Sequence, residues 1–360
     1  MTTAQIGQLS TTTIAGLGTE DWAAFTTAQI AELTTTQVPA INAAGLSALT
    51  TAQIAAMETA DIAALTTKQL VGLPTASVAA LTTAQIVGLS TEQAAALTGP
   101  QIGALTTAQV AALETADLAA IPVKQLPSVS TAQIAALTTA QAAALTTEQV
   151  AKLATDQLAA IETADVAALT TAGIAAINPA SIGALTSAQL GALASNQIAA
   201  LSTKQVSSLT TAQVSTLTTE DLNALTSDQI PSLKAEQLAA LTTAQVAAMT
   251  TDDVVALTAK QVAALPTASI AAMTTAQVAG LTTGQVVALT SEQVGALTTA
   301  QVAALTTGEV AALTAKQLPG LGTASIAADD RAGGQPDHRA DQQAGAPSRW
   351  PRSRPPTSPR

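Results

Sequence analysis

The sequence lacks cysteine and tyrosine, has one phenylalanine and two tryptophans, and holds a single histidine, His338, near its end. Without cysteine, the chain forms neither disulfides nor thiolate metal sites, and its redox compartment stays undetermined. Residues 1–328 contain many serine and threonine hydroxyls, but no histidine or cysteine to activate them as nucleophiles or to bind a transition metal. These absences argue against the commonest hydrolase and metalloenzyme sites.

Charge is also sparse and one-sided. Residues 1–328 contain no arginine and 7 lysines against 20 aspartates and glutamates, which gives them a formal charge of −13. Binding to a phosphate backbone needs a basic surface, so we predict that nucleic acid is not a partner. Because pairs of threonines interrupt every apolar run, we also predict no membrane insertion.

The chain is built on an eight-residue repeat, well represented by Leu297-Thr-Thr-Ala-Gln-Val-Ala-Ala304, whose positions we label a to h. Position a falls at residues 1, 9, 17 and so on to 321, which gives 41 octads that end at Ala328 without insertion or deletion. Positions a and f are always apolar, h is nearly always small, and e is mostly glutamine and otherwise usually aspartate or serine. A repeat of this kind predicts a one-dimensional stack of units rather than a closed globular core.

The octad itself predicts an all-α fold. One continuous helix is excluded, because eight residues turn its apolar stripe by about 80° per octad. Thr-Thr-x-Gln at positions b to e is the pattern of a capping box, with threonine as the N-cap. Asn178-Pro179 fits the same scheme, as an N-cap followed by proline at the first helical position. We therefore predict a repeat solenoid of very short helices, one per octapeptide, stabilised by stacking.

Four prolines at position g qualify this prediction: Pro39, Pro127, Pro231 and Pro319. A proline there removes a helical hydrogen bond, so we expect a single turn or a partly extended segment in those octads. The alternative fold is a β-solenoid, which conflicts with the abundant alanine and with the odd spacing between a and f. The aromatic residues Trp22 and Phe25 occupy positions f and a, and we predict that they are enlarged core residues.

A longer pattern lies above the octad. Pro39 recurs as Pro231, Met57 as Met249 and Asp61 as Asp253, each 192 residues or 24 octads later, which indicates that a block of 24 units was duplicated. We predict one repeat domain over residues 1–328. Residues 329–360 change abruptly in composition and are interpreted as a disordered tail. A sharper hypothesis is that they are a frameshifted continuation of the repeat, because a one-base shift lets their codons encode Leu-Thr-Thr-x-Gln.

The nearest approach to a chemical motif is Glu-Thr-Ala-Asp, at residues 58–61, 114–117 and 162–165. We favour a charged capping box over a metal or acid–base site, because the helix dipole stabilises carboxylates at an N-terminus. Calcium loops, phosphate loops and dinucleotide fingerprints are missing. We therefore predict no catalytic, cofactor-binding or metal-binding residues, no cofactor, and a protein that is not an enzyme.

The motif Leu-Thr-Thr-x-Gln-[Val/Ile/Leu]-Ala-Ala over residues 1–328 resembles the octapeptide arrays of bacterial low-complexity surface and secreted proteins, which are often labelled adhesin-like. This resemblance implies a structural or interaction element, a spacer or stalk fragment of a larger protein, with an extracellular or cell-surface location and an unknown protein or surface partner. Met1 already lies at position a, which agrees with a fragment. Residues 145–150 resemble the opening of a TAL-effector repeat, but that repeat is longer and carries a base-reading loop that has no counterpart here.

The alternative function is binding of ice or glycan by ladders of threonine, because stacking of the octads aligns equivalent threonines. Adjacent threonines on a strand point to opposite faces, whereas a ladder needs both on one face. A surface that is variable at positions d and g favours a spacer, and a flat, unvaried threonine face favours the binder.

Overall fold

The computed structural model describes residues 1–322, which fall into two compact units, residues 1–257 and the residues from 258 onward. In both units each octad forms one short helix, and the described residues contain no strand. The all-α prediction is therefore confirmed and the β-solenoid is excluded for this part of the chain. The hypotheses on residues 329–360 lie outside the described residues.

The helices have the following bounds. In the first unit the α-helices span Thr3–Ile6, Thr11–Gly16, Thr19–Ala24, Thr27–Ile30, Ala43–Ala48, Thr51–Ala56, Thr59–Ala64, Thr67–Val71, Thr75–Ala79, Thr83–Val87, Thr91–Ala96, Gly99–Ala104, Thr107–Ala112, Thr115–Ala120, Thr131–Ala135, Thr139–Ala144, Thr147–Lys152, Thr155–Ala160, Thr163–Ala168, Thr171–Ala176, Ser187–Gly191, Ser195–Ala199, Thr203–Ser208, Thr211–Thr216, Thr219–Ala224, Ala235–Ala239, Thr243–Ala248 and Thr251–Ala256. In the second unit they span Ala259–Ala264, Thr267–Ala272, Thr275–Ala279, Thr283–Ala288, Ser291–Ala296, Thr299–Ala304 and Thr307–Ala312. The 3₁₀ helices are Val38–Ala40, Val123–Ser128, Ile182–Ala184, Ile230–Ser232 and Leu318–Gly320.

The capping box sets where each helix begins. In the octad of residues 105–112, Thr106 has an extended backbone, with φ −70° and ψ 159°, and its hydroxyl accepts a hydrogen bond from the Gln109 amide at 3.2 Å. The side-chain oxygen of Gln109 accepts in return from the Thr106 amide at 2.7 Å. Two N–H groups that lack a partner inside the helix are thereby satisfied, which confirms the predicted role of Thr-Thr-x-Gln.

The helix ends when the next position a returns to extended backbone. Leu113 has φ −57° and ψ 137°, and its amide donates to the Val110 carbonyl at 3.2 Å. Consecutive extended residues at a and b therefore turn the chain once in every octad. One helix therefore forms in each octad, because the cap starts it and the extended residues of the next octad end it.

Three octads make one coil. Helix Thr83–Val87 packs against helix Thr59–Ala64 on one side and helix Thr107–Ala112 on the other, and these are three octads before and after it. The same spacing of 24 residues relates all the helix pairs with substantial contact within each unit. Each unit is thus a solenoid with three helices per turn, and equivalent octads of successive coils form three sides.

The core consists of positions a and f, which face inward from all three sides. Ile86 is fully buried and Leu89 nearly so, and the same holds for almost every equivalent pair. Trp22 is also fully buried, as predicted, and its ring meets Phe25 edge to face at 5.5 Å and 82°. Phe25 itself is only half-buried, so the prediction of a core position holds for it in part.

Small residues at position h let the coils approach closely. A Cβ added to Gly88 would lie 2.3 Å from the Thr59 Cγ2 atom, in the octad directly below it. One added to Gly320 would lie 2.2 Å from the Ser291 carbonyl oxygen. Glycine is therefore a packing requirement at these two h positions.

The octads with proline at position g form a 3₁₀ helix instead of an α-helix: a single turn in three of them, and the six residues Val123–Ser128 in the octad of Pro127. One further octad, residues 177–184, behaves in the same way, and here the prediction from Asn178-Pro179 was wrong. The Asn178 side chain accepts from the Ala180 amide at 3.0 Å, two residues on, rather than capping an α-helix. This local turn competes with the helical start, and only the 3₁₀ helix Ile182–Ala184 follows.

Candidate functional site

The glutamine at position e is the most heavily bonded side chain of the octad. Besides accepting from Thr106, Gln109 donates through Nε2 to the carbonyl oxygens of Val78 at 3.1 Å and Leu81 at 2.7 Å. These acceptors lie 31 and 28 residues earlier, at the turn between two octads of the coil below. Gln109 is buried, and both ends of its amide have partners. One side chain therefore caps its own helix and bonds two successive coils.

This cross-coil bond recurs at the same register along both units. Its acceptors are the carbonyls of an f residue and of the following a residue. The f carbonyl also accepts from the amide of that a residue, as Val78 does from Leu81 at 3.2 Å. Bonds to the position 28 residues earlier measure 3.0 Å or less for Gln53, Gln69, Gln85, Gln93, Gln101, Gln133, Gln141, Gln149, Gln205, Gln237, Gln293 and Gln317.

The sequence prediction missed this second role. It assigned glutamine to the capping box, in which glutamate serves equally well. The sequence did contain a signal for the second role. Position e holds glutamine in most octads and glutamate only at Glu309 among the described residues, although either residue completes a capping box. Only the amide offers an N–H donor for the coil below.

Where aspartate replaces glutamine, the cross-coil donor is lost. Asp221 and Asp253 keep a threonine N-cap, and the hydroxyls of Thr218 and Thr250 donate to their Oδ2 atoms at 2.6 Å. Those carboxylates are therefore satisfied within their own octad.

The three Glu-Thr-Ala-Asp segments lack this hydroxyl. The side chains of Glu58, Glu114 and Glu162 make no N-cap hydrogen bond, so the charged capping box predicted there is not complete. Asp61 and Asp117 are each 2% exposed, and their Oδ2 atoms are buried without a hydrogen-bond partner. The physical reason is that glutamate has no hydroxyl to donate to the aspartate.

The electrostatics of Asp61 follow from this position. Burial, reinforced by the nearby negative charge of Glu58, raises the pKa of the Asp61 carboxyl to about 6, and a hydrogen bond from the Glu58 backbone partly offsets the rise. The segments do not converge on one site. Helices Thr115–Ala120 and Thr163–Ala168 lie on opposite sides of helix Thr139–Ala144, which separates Asp117 from Asp165 by two coils.

One octad uses asparagine in place of both threonine and glutamine. The Asn42 oxygen accepts from the Gly45 amide at 2.8 Å, and its nitrogen donates to the carbonyls of Ala15 and Leu17 at 3.2 Å. Gly45 stands where glutamine usually lies, and a Cβ there would be 2.4 Å from the Trp22 indole nitrogen. The large ring thus displaces the glutamine, and Asn42 takes over its bonds.

Cavities lie among the described residues, and one of about 240 Å³ is near the start of the chain and is lined by residues that include Met1, Phe25 and Gln29. An apolar cavity of about 30 Å³ lies along the axis between Ile102 and Leu153, and its lining consists of core side chains and Gln149. Within residues 1–322, no three or more carboxylate, histidine or cysteine side chains group to hold a metal ion. Over the same residues, no helix has both the length and the apolar character to cross a membrane.

The surface is formed by positions b, c and d, with g partly exposed. Position d varies among alanine, glutamate, lysine, aspartate and others, and g also varies. Two stretches of four octads are uniform, with exposed threonines at 24-residue intervals that are each followed by an exposed alanine. They are Thr59, Thr83, Thr107 and Thr131 on one side, and Thr3, Thr27, Thr51 and Thr75 on another.

Taken together, a helix in every octad, a core of two apolar positions and a glutamine bond between coils define a helical repeat protein. The chain matches the ALTTAQ repeat over residues 1–35, 54–91, 75–107, 110–155, 158–195, 187–219, 198–235, 217–251, 232–267, 246–283, 254–291 and 270–307, and it belongs to that family. Among the curated proteins with which we compared it, none matches. The protein is thus a structural repeat protein.

Proposed function

We propose that this protein is a spacer or adhesin-like stalk segment of a larger extracellular or cell-surface protein, and that it is not an enzyme. The observation that carries the proposal is that the recurring polar side chains of the octad form hydrogen bonds within the fold. The amide of glutamine and the hydroxyl of the first threonine are used for capping and cross-coil bonds, as at Thr106 and Gln109. What remains outside is a surface whose residues vary at d and g.

A spacer must hold a distance that grows with the number of coils. The test places donor and acceptor dyes at Thr35→Cys and Ser227→Cys, which lie in octads 192 residues, or eight coils, apart within the first unit. The expected separation is about 65–80 Å, from a typical helix spacing of about 8–10 Å per coil. Deleting residues 97–120, one coil, should shorten it by about one eighth. A distance between the two dyes that is unchanged by the deletion contradicts a spacer.

The proposed surface location has its own test. Antibody raised against residues 1–322 should label intact cells of the source organism, and external protease should remove the signal. Labelling only after the cells are opened contradicts the location. Sequencing the DNA on both sides of the repeat tests for a secretion signal or an anchor in the same gene.

A second candidate function is surface binding by a threonine ladder, and the uniform line of Thr59, Thr83, Thr107 and Thr131 favours it. Only the second threonine of each pair contributes, because the hydroxyl of the first caps its helix, as Thr82 and Thr106 do. Ice-recrystallisation and glycan-binding assays test this candidate. Binding that is abolished by Thr83→Lys with Thr107→Lys supports the ladder, whereas no binding, or binding unchanged by these substitutions, excludes it.

A further inference from the structure

In the octad of Asp61, an aspartate occupies the corner, the position from which glutamine donates to the coil below in most other octads. In the octads with glutamine, Nε2 donates to carbonyls 31 and 28 residues earlier, as Gln53 does to Trp22 and Phe25 and Gln69 does to Val38 and Ile41. Asp61 lies in the octad between these two, so the same register places the Ile30 and Leu33 carbonyls at its corner. An ionised carboxylate has no N–H to offer them.

The contacts around this corner show that the missing donor is not replaced. The Leu33 amide donates to the Ile30 carbonyl at 3.1 Å, but within residues 1–322 the Leu33 carbonyl receives no hydrogen bond. Leu33 is 4% exposed, and the Asp61 Oδ2 atom is buried without a partner. Two buried acceptors without donors cost stability, since each is desolvated without compensation.

A protonated carboxyl group supplies the missing donor. We propose that Asp61 closes its corner in the protonated state, with its O–H donating to the coil below, and that the corner opens when the proton leaves. Asp117 also has a buried Oδ2 atom without a hydrogen-bond partner, beneath a Glu114 N-cap. The octad of Asp61 is thus a proton-dependent joint in a stack whose coils are mostly joined by glutamine.

Two acidic residues lie close to the corner of Asp61. Helix Thr59–Ala64 packs against Val38–Ala40 and Thr83–Val87, and neither segment contains a titratable residue. Glu58 precedes the helix, and Glu32 lies in the turn below, between the corner residues Ile30 and Leu33. Both are acidic, and the negative charge of Glu58 opposes ionisation of Asp61.

The pH dependence follows from the direction of the shift. The pKa of Asp61 in the folded chain, about 6, lies above its ordinary value of 3.8, so folding favours the protonated form. The stabilisation is complete below about pH 4 and is lost as the pH rises through about 6. A shift of about two pKa units limits the effect to about a hundredfold in the opening constant of this corner.

The test compares the full chain with Asp61→Asn, which keeps the shape and supplies a permanent N–H donor. With ¹³C-labelled aspartate, the carboxyl resonance that Asp61→Asn removes should titrate with a midpoint near 6. Hydrogen-exchange protection of the Ile62 and Leu65 amides should fall about tenfold from pH 5 to pH 8 in the unaltered chain, after correction for intrinsic exchange. In the variant it should stay constant.

A matched variant excludes a general effect of substitution. Glu58→Thr restores the threonine hydroxyl that satisfies Asp253 in the duplicated octad, so it should abolish the pH dependence while Asp61 remains. The proposal is wrong if the carboxyl titrates near pH 4, or if the unaltered chain and Asp61→Asn show the same protection profile. It is also wrong if 5 mM Ca²⁺ restores protection at pH 8 in the unaltered chain alone, because a cation rather than a proton then fills the corner.

Discussion

At the scale of the residue, glutamine at position e links the helix to the coil below in most octads. Its oxygen completes the capping box of its own helix, and its nitrogen bonds the coil below, as in Gln109. The capping role could be predicted from Thr-Thr-x-Gln. The cross-coil role could not be derived from spacing alone, because it depends on which octads stack, and that is set by the path of the chain.

The chain offers a matched pair that measures this role. Gln125 follows Pro122, which has no N–H to donate to its oxygen, and its nitrogen reaches only the Leu97 carbonyl, at 3.3 Å. We expect Gln109→Met to destabilise its coil by about 3 kcal/mol, about 1 kcal/mol for each of three lost hydrogen bonds. Gln125→Met should cost less than about 1 kcal/mol.

Native-state hydrogen exchange of the surrounding amides measures both changes coil by coil. Thr106→Ala provides the control, because it removes only the N-cap hydroxyl and should cost about 1 kcal/mol. Equal losses for Gln109→Met and Gln125→Met contradict the cross-coil role.

At the scale of the element, the octads that depart from the usual residue pattern do so for different reasons. Proline at position g converts the helix to a 3₁₀ turn, which the sequence anticipated from the missing N–H. The octad of Asn178 also forms a 3₁₀ turn, and this was not foreseen because a local side-chain turn competed with the cap. Gly45 was unexplained by the sequence, since its reason is the Trp22 ring of the coil below.

The contact between Trp22 and Gly45 gives a prediction about packing between elements. Gly45→Ala places a methyl group against the indole ring, and overpacking of this kind costs about 1–3 kcal/mol. In a Trp22→Leu background the same substitution should cost less than about 0.5 kcal/mol, because leucine leaves room and alanine favours the helix. A double-mutant cycle by chemical denaturation measures the coupling, and additive effects contradict the steric explanation.

At the scale of the whole molecule, the octad pattern predicted one helix per octad but not the number of helices in each coil. The contacts between helices show that each coil has three helices. That number depends on the angle at the a–b turn, which the residue pattern does not encode directly. The 192-residue duplication is eight whole coils, so Asp61 and Asp253 lie on the same side within the first unit. A copy of this length preserves the surface pattern.

Equivalence of the octads predicts how the first unit responds to deletions. Removing residues 97–120, one coil, should leave the circular-dichroism signal per residue unchanged and lower the urea m-value in proportion to the lost length. Removing residues 97–104, one octad, should also leave a folded chain. Each later octad then moves to the neighbouring side of the solenoid, which is a third of a coil. Removing residues 97–100 breaks the a and f register and should unfold the adjoining coils. Tolerance of all three deletions contradicts a register-dependent stack.

The central claim, that every third octad stacks, is tested most directly with engineered cysteine pairs, since the natural chain contains no cysteine. Thr107→Cys with Thr131→Cys joins exposed positions 24 residues apart in contacting helices, and Thr107→Cys with Thr139→Cys joins positions 32 residues apart. A short bifunctional thiol reagent should cross-link the first pair within the monomer and leave the second unlinked. Cross-linking of the second pair in preference to the first would contradict three octads per coil.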